Sequence, residues 1–104
     1  MGITKDFLFT EAQNTLANMY RVIGHPARIA ILQIIIMNGG ITNGNLSNSL
    51  RLAQSTISQH LNELKSSGLI YGLVTGPSII YRIDQQKWDE VQELSSHFIL
   101  SITQ

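Results

Sequence analysis

No cysteine occurs anywhere in the 104 residues. Disulfides, zinc ribbons, thiolate metal sites and thiol redox sensing are therefore excluded for this stretch. Charge is also scarce: seven Lys and Arg balance seven Asp and Glu, 13% of the chain and a net charge of zero. With 43% hydrophobic residues, that composition does not describe a disordered, highly charged tail. The most apolar segment, PARIAILQIIIMN, is about a dozen residues long, too short to span a bilayer. MGITKDFLFTEAQ has no basic region followed by an apolar core, so no secretory signal is expected. MGITKD does fit the loose N-myristoylation pattern, which is set aside because nothing else points to a membrane.

Catalytic groupings are missing as well. No Ser/His/Asp, Cys/His or phosphate-loop arrangement is present. His25, His60 and His97 fall in separate segments, without an obvious carboxylate to orient them. Neither an enzyme nor a cofactor is expected, and His25, in GHPAR, reads most simply as a loop residue.

The few charges are unevenly placed. From Tyr20 to Ile83, Arg21, Arg28, Arg51, Lys65 and Arg82 stand against Glu63 alone, a net +4. The ends carry Lys5 and Lys87 against Asp6, Glu11, Asp84, Asp89, Glu90 and Glu93, a net −4. A basic middle between acidic ends suits a face shown to phosphate, although numbers this small also fit a chance scatter.

Length predicts one domain over residues 1–104. Thr10 to Ile23 reads as an amphipathic helix, with Ala12, Leu16, Met19 or Tyr20, and Ile23 at helical spacing. Gly24 ends it and Pro26 suits the first position of the next helix. That helix, PARIAILQIIIMN, is apolar nearly all round and is expected to be the buried centre, stopped by Gly39-Gly40. Asn45 or Asn43 is expected to cap a short helix burying Leu46 and Leu50. After a brief turn at Leu52-Ala53, a further helix starts at Gln54 or Ser55, completing a helix-turn-helix over about 43–67. LIYGLV and IIYRI around TGPS predict a β-hairpin over about 69–83. A last helix over about 85–103 places Trp88, Val91, Leu94, Phe98 and Ile102 along one side. The order predicts a mainly α fold of about five helices with a small β-hairpin wing, a winged helix-turn-helix.

QSTISQHLNELKSSGLI carries the chemistry. At 100° per residue Ile57, Leu61 and Leu64 share one face and turn to the core. Ser55, Gln59 and Asn62 lie opposite, flanked by Ser58 and Thr56. Uncharged polar side chains suit the major groove, where Gln pairs two-fold with adenine and Ser or Thr serves several bases. An ordinary solvated helix face has the same composition.

This stretch closely resembles the recognition-helix signature of ArsR/SmtB-type bacterial repressors, Q-S-x-[VI]-S-x-H-L followed by L-x-x-x-G-L-[VI]. VIGHPARIAIL is similar to that family's G-x-P-x-R-[IL]-x-I-L segment, and GPSIIYRI to its wing strand. The three cover Val22 to Ile83, about three fifths of the chain. The resemblance implies groove contacts by Ser55, Thr56, Ser58, Gln59 and His60, with Gln54 near phosphate or capping the helix. His60 lies beside the core stripe, so a packing role is equally open. Arg28 is implied to serve phosphate or structure. Arg51 and Lys65, flanking the helix, are expected phosphate contacts or plain solvated side chains. Family wings often carry arginines in the turn, but TGPS has none and only Arg82 follows, so wing insertion into the minor groove is not expected. With about 4–8 phosphate contacts per dimer, log K should fall with log salt at a slope of about −4 to −7.

The apolar sides of the first and last helices exceed what a small monomer buries. Leu16, Met19, Tyr20, Trp88, Val91, Leu94, Phe98 and Ile102 are the expected homodimer interface, in line with the terminal-helix dimers that the resemblance implies. Two recognition helices about 34 Å apart would then read an inverted repeat.

Family members respond to metals through cysteines on the first helix of the helix-turn-helix, where this chain has TNGNLSNSL. Asn and Ser are poor ligands for soft metals. A second family site on the last helix would use Asp89, Glu93 and His97. The D-x-H start is absent and one histidine remains, so a solvated acidic stripe is the preferred reading and no metal is expected. The effector, a small molecule or protein if there is one, is left unidentified. The expectation is a bacterial, cytoplasmic, dimeric transcriptional regulator of repressor type that binds double-stranded DNA. The alternative is a winged-helix module that binds protein or RNA.

Overall fold

The structure, a computed structural model, describes residues 8–104; the MGITKD pattern, with Lys5 and Asp6, lies outside them. Helix α1 (Glu11–Ile23) is followed by α2 (Pro26–Asn38), α3 (Asn43–Leu50) and α4 (Gln54–Ser66). Strands β1 (Ile70–Thr75) and β2 (Ser78–Ile83) then precede α5 (Gln85–Thr103). This is the winged helix-turn-helix order expected from the sequence: five helices and one hairpin among the described residues.

Local chemistry sets the boundaries. Thr10 caps α1 through a capping box, its hydroxyl accepting from the Gln13 N–H while Gln13 Oε1 accepts from the Thr10 N–H. His25 is more than a loop residue: its Nδ1 accepts from the Ala27 N–H and caps α2, with Pro26 at the first helical position. Gly39 closes α2 in the left-handed region, at φ 67°. Neither Asn45 nor Asn43 caps α3. Thr42 does, accepting from the Asn45 N–H at 3.2 Å, because its extended backbone aims the hydroxyl at the free amides of the first turn.

One core joins all five helices to the root of the wing. Met19 and Val22 of α1, Ile31, Leu32 and Ile35 of α2, and Leu46 of α3 meet the Ile57, Leu61 and Leu64 stripe of α4. Leu69, Ile70 and Val91 complete it. Helix α2 is central but not enclosed all round: Ile36 is 65% and Met37 83% exposed.

The strands pair antiparallel from Ile70 opposite Ile83 to Thr75 opposite Ser78. A single-residue bridge adds Ile41 to the wing, exchanging backbone hydrogen bonds with Tyr81 at 2.9 and 3.1 Å. Trp88 Nε1 donates to the Leu69 carbonyl at 2.9 Å, tying α5 to the foot of the wing. Among the described residues no helix is long and apolar enough to cross a membrane.

Candidate nucleic-acid interface

Helix α4 is built to show one face. Ile57, Leu61 and Leu64 are buried, while Gln54, Ser55, Gln59 and Asn62 stand exposed and Thr56 and Ser58 are half-buried on the flanks. Burying three large aliphatic side chains, each contributing about 1.5–3 kcal/mol, fixes the helix rotation and leaves the polar stripe outward. The preceding turn holds α4 against α3. Arg51 takes a left-handed backbone, φ 56°, and its N–H donates to the Ser47 carbonyl. Ser47 Oγ donates to the Leu52 carbonyl at 2.5 Å.

Gln54 does not cap α4; Ala53 occupies the cap position and no side chain satisfies the first amides. Those N–H groups sit at the positive end of the helix dipole, where an anion such as a backbone phosphate is favoured.

His60 and Arg28 form a packed unit instead of two projecting contacts. Arg28 Nε donates to His60 Nδ1 at 3.1 Å, and one guanidinium NH2 group donates to the Val22 carbonyl at 2.9 Å. The His25 ring lies 4.5 Å from that of His60, tilted by 54°. Because Arg28 occupies Nδ1 as a donor, His60 is neutral and carries its proton on Nε2. Burial, then the neighbouring His25 and Arg28, hold His60 below the ordinary histidine value. The unit stitches α4 to the α1–α2 elbow.

The remaining cations surround the polar stripe. Arg51 and Lys65 are exposed, and neither makes an ion pair among the described residues. Arg21 approaches Glu63 at 4.0 Å on the surface, a contact worth about 0–1 kcal/mol. Arg82 stands opposite Tyr71 near the root of the wing, not at its tip. Its stem packs over Gly40, where a Cβ would come within 3.2 Å of it and 2.8 Å of Ile80 Cγ2. The turn at Gly76-Pro77 carries no cation.

Sequence reasoning passed over Asn43 as a site residue. Its Nδ2 donates to Ser58 Oγ at 2.7 Å and lies 3.4 Å from the Gln54 carbonyl. The contact spans fifteen residues, and no local pattern in TNGN points to it.

The terminal helices divide the expected dimer residues. Met19 and Val91 are buried in the core of the protomer, and Trp88 packs on it, so these three are taken up internally. Tyr20 Oη donates to Ser95 Oγ at 3.0 Å, joining α1 to α5. Leu16, Leu94, Phe98 and Leu100 line an open groove between the same helices. Phe98, Ile99, Leu100 and Ile102 are 45–64% exposed, and Leu8 and Phe9 are also open, at 71% and 53%. Asp89, Glu93 and His97 are exposed on α5, Asp89 accepting from Gln85 Nε2. No group of three metal-ligating side chains gathers among the described residues.

A helix-turn-helix whose second helix is rotated by its core stripe to expose Gln and Ser, followed by a hairpin wing, defines the DNA-binding winged-helix class. The winged helix-turn-helix DNA-binding family model matches residues 25–71. An uncharacterized HTH-type transcriptional regulator of Methanocaldococcus jannaschii is 30% identical over 84 residues, covering 81% of this chain and 94% of the relative. The biofilm growth-associated repressor of Xylella fastidiosa is 30% identical over 74 residues, covering 71% of this chain and 64% of the relative. Among solved structures, a possible transcriptional regulator for arsenical resistance superposes with a TM-score of 0.71 at 30% identity, covering 78% of this chain and 83% of that one. A homodimeric winged helix-turn-helix domain from Mycobacterium bovis shares the fold, with a TM-score of 0.67 at 20% identity over 86% of this chain and 80% of that one. The chain belongs to the ArsR/SmtB-type family of winged helix-turn-helix transcriptional regulators.

Proposed function

We propose that the protein acts as a homodimeric repressor, one domain per chain, that reads an inverted-repeat operator with helix α4. The carrying observation is the exposed polar stripe of Gln54, Ser55, Gln59 and Asn62 on a helix whose opposite face is wholly buried. Ser55 and Gln59 reach base edges, Thr56 and Ser58 contribute from the flanks, and Arg51, Lys65 and the free amides of the first turn meet phosphate. His60 and Arg28 act from behind, by holding α4 on the elbow. Arg82 serves the root of the wing, and the wing tip stays out of the minor groove.

Dimerisation covers Phe98, Ile99, Leu100 and Ile102, which form a larger exposed apolar run than a lone protomer of this size tolerates. The homodimeric Mycobacterium bovis neighbour supports this reading, and the Xylella fastidiosa relative supports repression. With no cysteine in the chain, any effector works without thiol chemistry.

Selection from a random duplex library tests the proposal, followed by anisotropy titration of the winner and a scramble at two salt concentrations. The expected result is an enriched inverted repeat bound at least ~10³-fold more tightly than the scramble, with a salt slope of about −4 to −7. Ser58→Ala with Gln59→Ala should abolish the preference and leave the dimer intact. No enrichment in metal-free or zinc-supplemented buffer would favour a protein- or RNA-binding module.

A further inference from the structure

The Asn43–Ser58 contact has a definite direction. The Gln54 carbonyl can only accept, so the amide nitrogen of Asn43, not its oxygen, must face the pair formed by Gln54 O and Ser58 Oγ. Ser58 Oγ therefore accepts from inside the fold. Its own proton goes to no acceptor among the described residues, although the hydroxyl sits on the flank of the exposed stripe. Asn43 Oδ1 is buried with no donor, the one side-chain polar atom so placed among the described residues. Leaving a buried acceptor unpaired is unfavourable. A flipped amide would let Ser58 satisfy that oxygen, but it would take the donor from Gln54.

We propose that Asn43 is a positioning residue that fixes the polarity of Ser58, presenting its hydroxyl to DNA as a donor. This rests on reading α4 as the recognition helix. An unrestrained serine hydroxyl donates or accepts and so tolerates several bases. With one of its two lone pairs engaged by Asn43 and its proton uncommitted, Ser58 favours base edges that accept (guanine N7 and O6, adenine N7, thymine O4) over the cytosine N4 amino group. Asn43 never touches the operator, yet it restricts what one contact can read.

Two arms test this on the full chain. In the DNA-free arm, ¹⁵N-labelled protein is used to follow solvent exchange of the Asn43 side-chain NH2. Ser58→Ala should accelerate that exchange by about tenfold, the loss of one net hydrogen bond; an unchanged rate overturns the contact. In the DNA arm, wild type, Asn43→Asp and Ser58→Ala each select from a random duplex library. A carboxylate cannot donate, so Asn43→Asp turns the Ser58 proton inward and its lone pairs outward. The substitution lies in the first turn of α3, where an anion is favoured, and circular dichroism verifies the fold. At one position per half-site the wild type should enrich guanine or thymine over cytosine. Asn43→Asp should shift that ratio towards cytosine by about tenfold, and Ser58→Ala should flatten it. Identical preferences for wild type and Asn43→Asp overturn the inference alone. A wild type that enriches nothing removes the recognition-helix reading, and this inference with it.

Discussion

Replacing Arg28 by methionine keeps an unbranched stem in the elbow and deletes the guanidinium. Two hydrogen bonds go with it, Nε to His60 Nδ1 at 3.1 Å and the NH2 group to the Val22 carbonyl at 2.9 Å. A hydrogen bond from a charged donor contributes about 1.5–3 kcal/mol. Both bonds here belong to one half-buried side chain, whose ordering opposes them by up to about 2 kcal/mol. A net loss of about 2–3 kcal/mol follows, and for a chain this long it lowers Tm by roughly 10–20 °C. The assay is thermal and urea denaturation followed by Trp88 fluorescence, at one fixed protein concentration because the proposed dimerisation would couple to folding. The salt dependence of operator binding separates the structural role from a phosphate contact. Held in the elbow, Arg28 contributes nothing to the slope. On phosphate, losing one arginine per protomer would make the slope shallower by about 1.8 per dimer and leave stability nearly unchanged. A stability loss below about 0.5 kcal/mol together with a shallower slope would refute the reasoning.

The same unit makes stability depend on pH. Burial first, then His25 and Arg28, lower the His60 pKa in the fold, so the unfolded chain binds the extra proton more readily. This contribution is complete above about pH 6.5 and is lost as pH falls through the lower folded value. Urea midpoints at pH 7.5, 6.0 and 5.0 should decline in the wild type and decline less in His60→Gln, which keeps an acceptor for Arg28 but does not titrate. Ile99→Glu places a charge on an exposed position of α5; sedimentation should show monomer at micromolar concentration with helicity retained, and an unchanged dimer would remove α5 from the interface. Gly40→Ala should destabilise by about 1–3 kcal/mol, since φ is 142° and a Cβ would lie 2.8 Å from Ile80 Cγ2. Gly39→Ala, at φ 67° with open space around the new Cβ, should cost less in the same denaturation assay.

Wherever one segment decides its own conformation, the fold is legible in the sequence. The spacing of Ile57, Leu61 and Leu64 sets both the helix and its buried face, Pro26 opens α2, and TGPS closes a hairpin. What escapes is pairing at a distance. Thr42, Asn43 and Asn45 are all competent caps by residue type. Thr42 takes that role while Asn43 reaches Ser58, fifteen residues on. The Arg28–His60 bond spans thirty-two residues, so sequence alone leaves His60 between packing and DNA. Ile41 pairs with Tyr81 as a single residue, and one residue has no periodicity to read. The stripe on α5 is legible as a stripe, but its members end in different surroundings. Val91 lies in the core while Phe98 and Ile102 are open, because the terminal helices run on beyond the residues that fill the protomer.

Zero net charge argues against nucleic acid only if affinity is taken to come mainly from phosphate. In this chain the exposed stripe of α4 is uncharged from Gln54 to Asn62, and few cations without an ion-pair partner among the described residues flank it. In the proposed complex, sequence-independent binding, which scales with neutralised phosphates, should be correspondingly weak. On the proposed reading, operator affinity then leans on hydrogen bonds to base edges, which depend on donor and acceptor polarity, not on charge. Such an interface loses little to competing duplex at low salt and much to a single wrong base. The Asn43 clamp on Ser58 fits that regime, because fixing the polarity of one hydroxyl matters most where few contacts carry the discrimination.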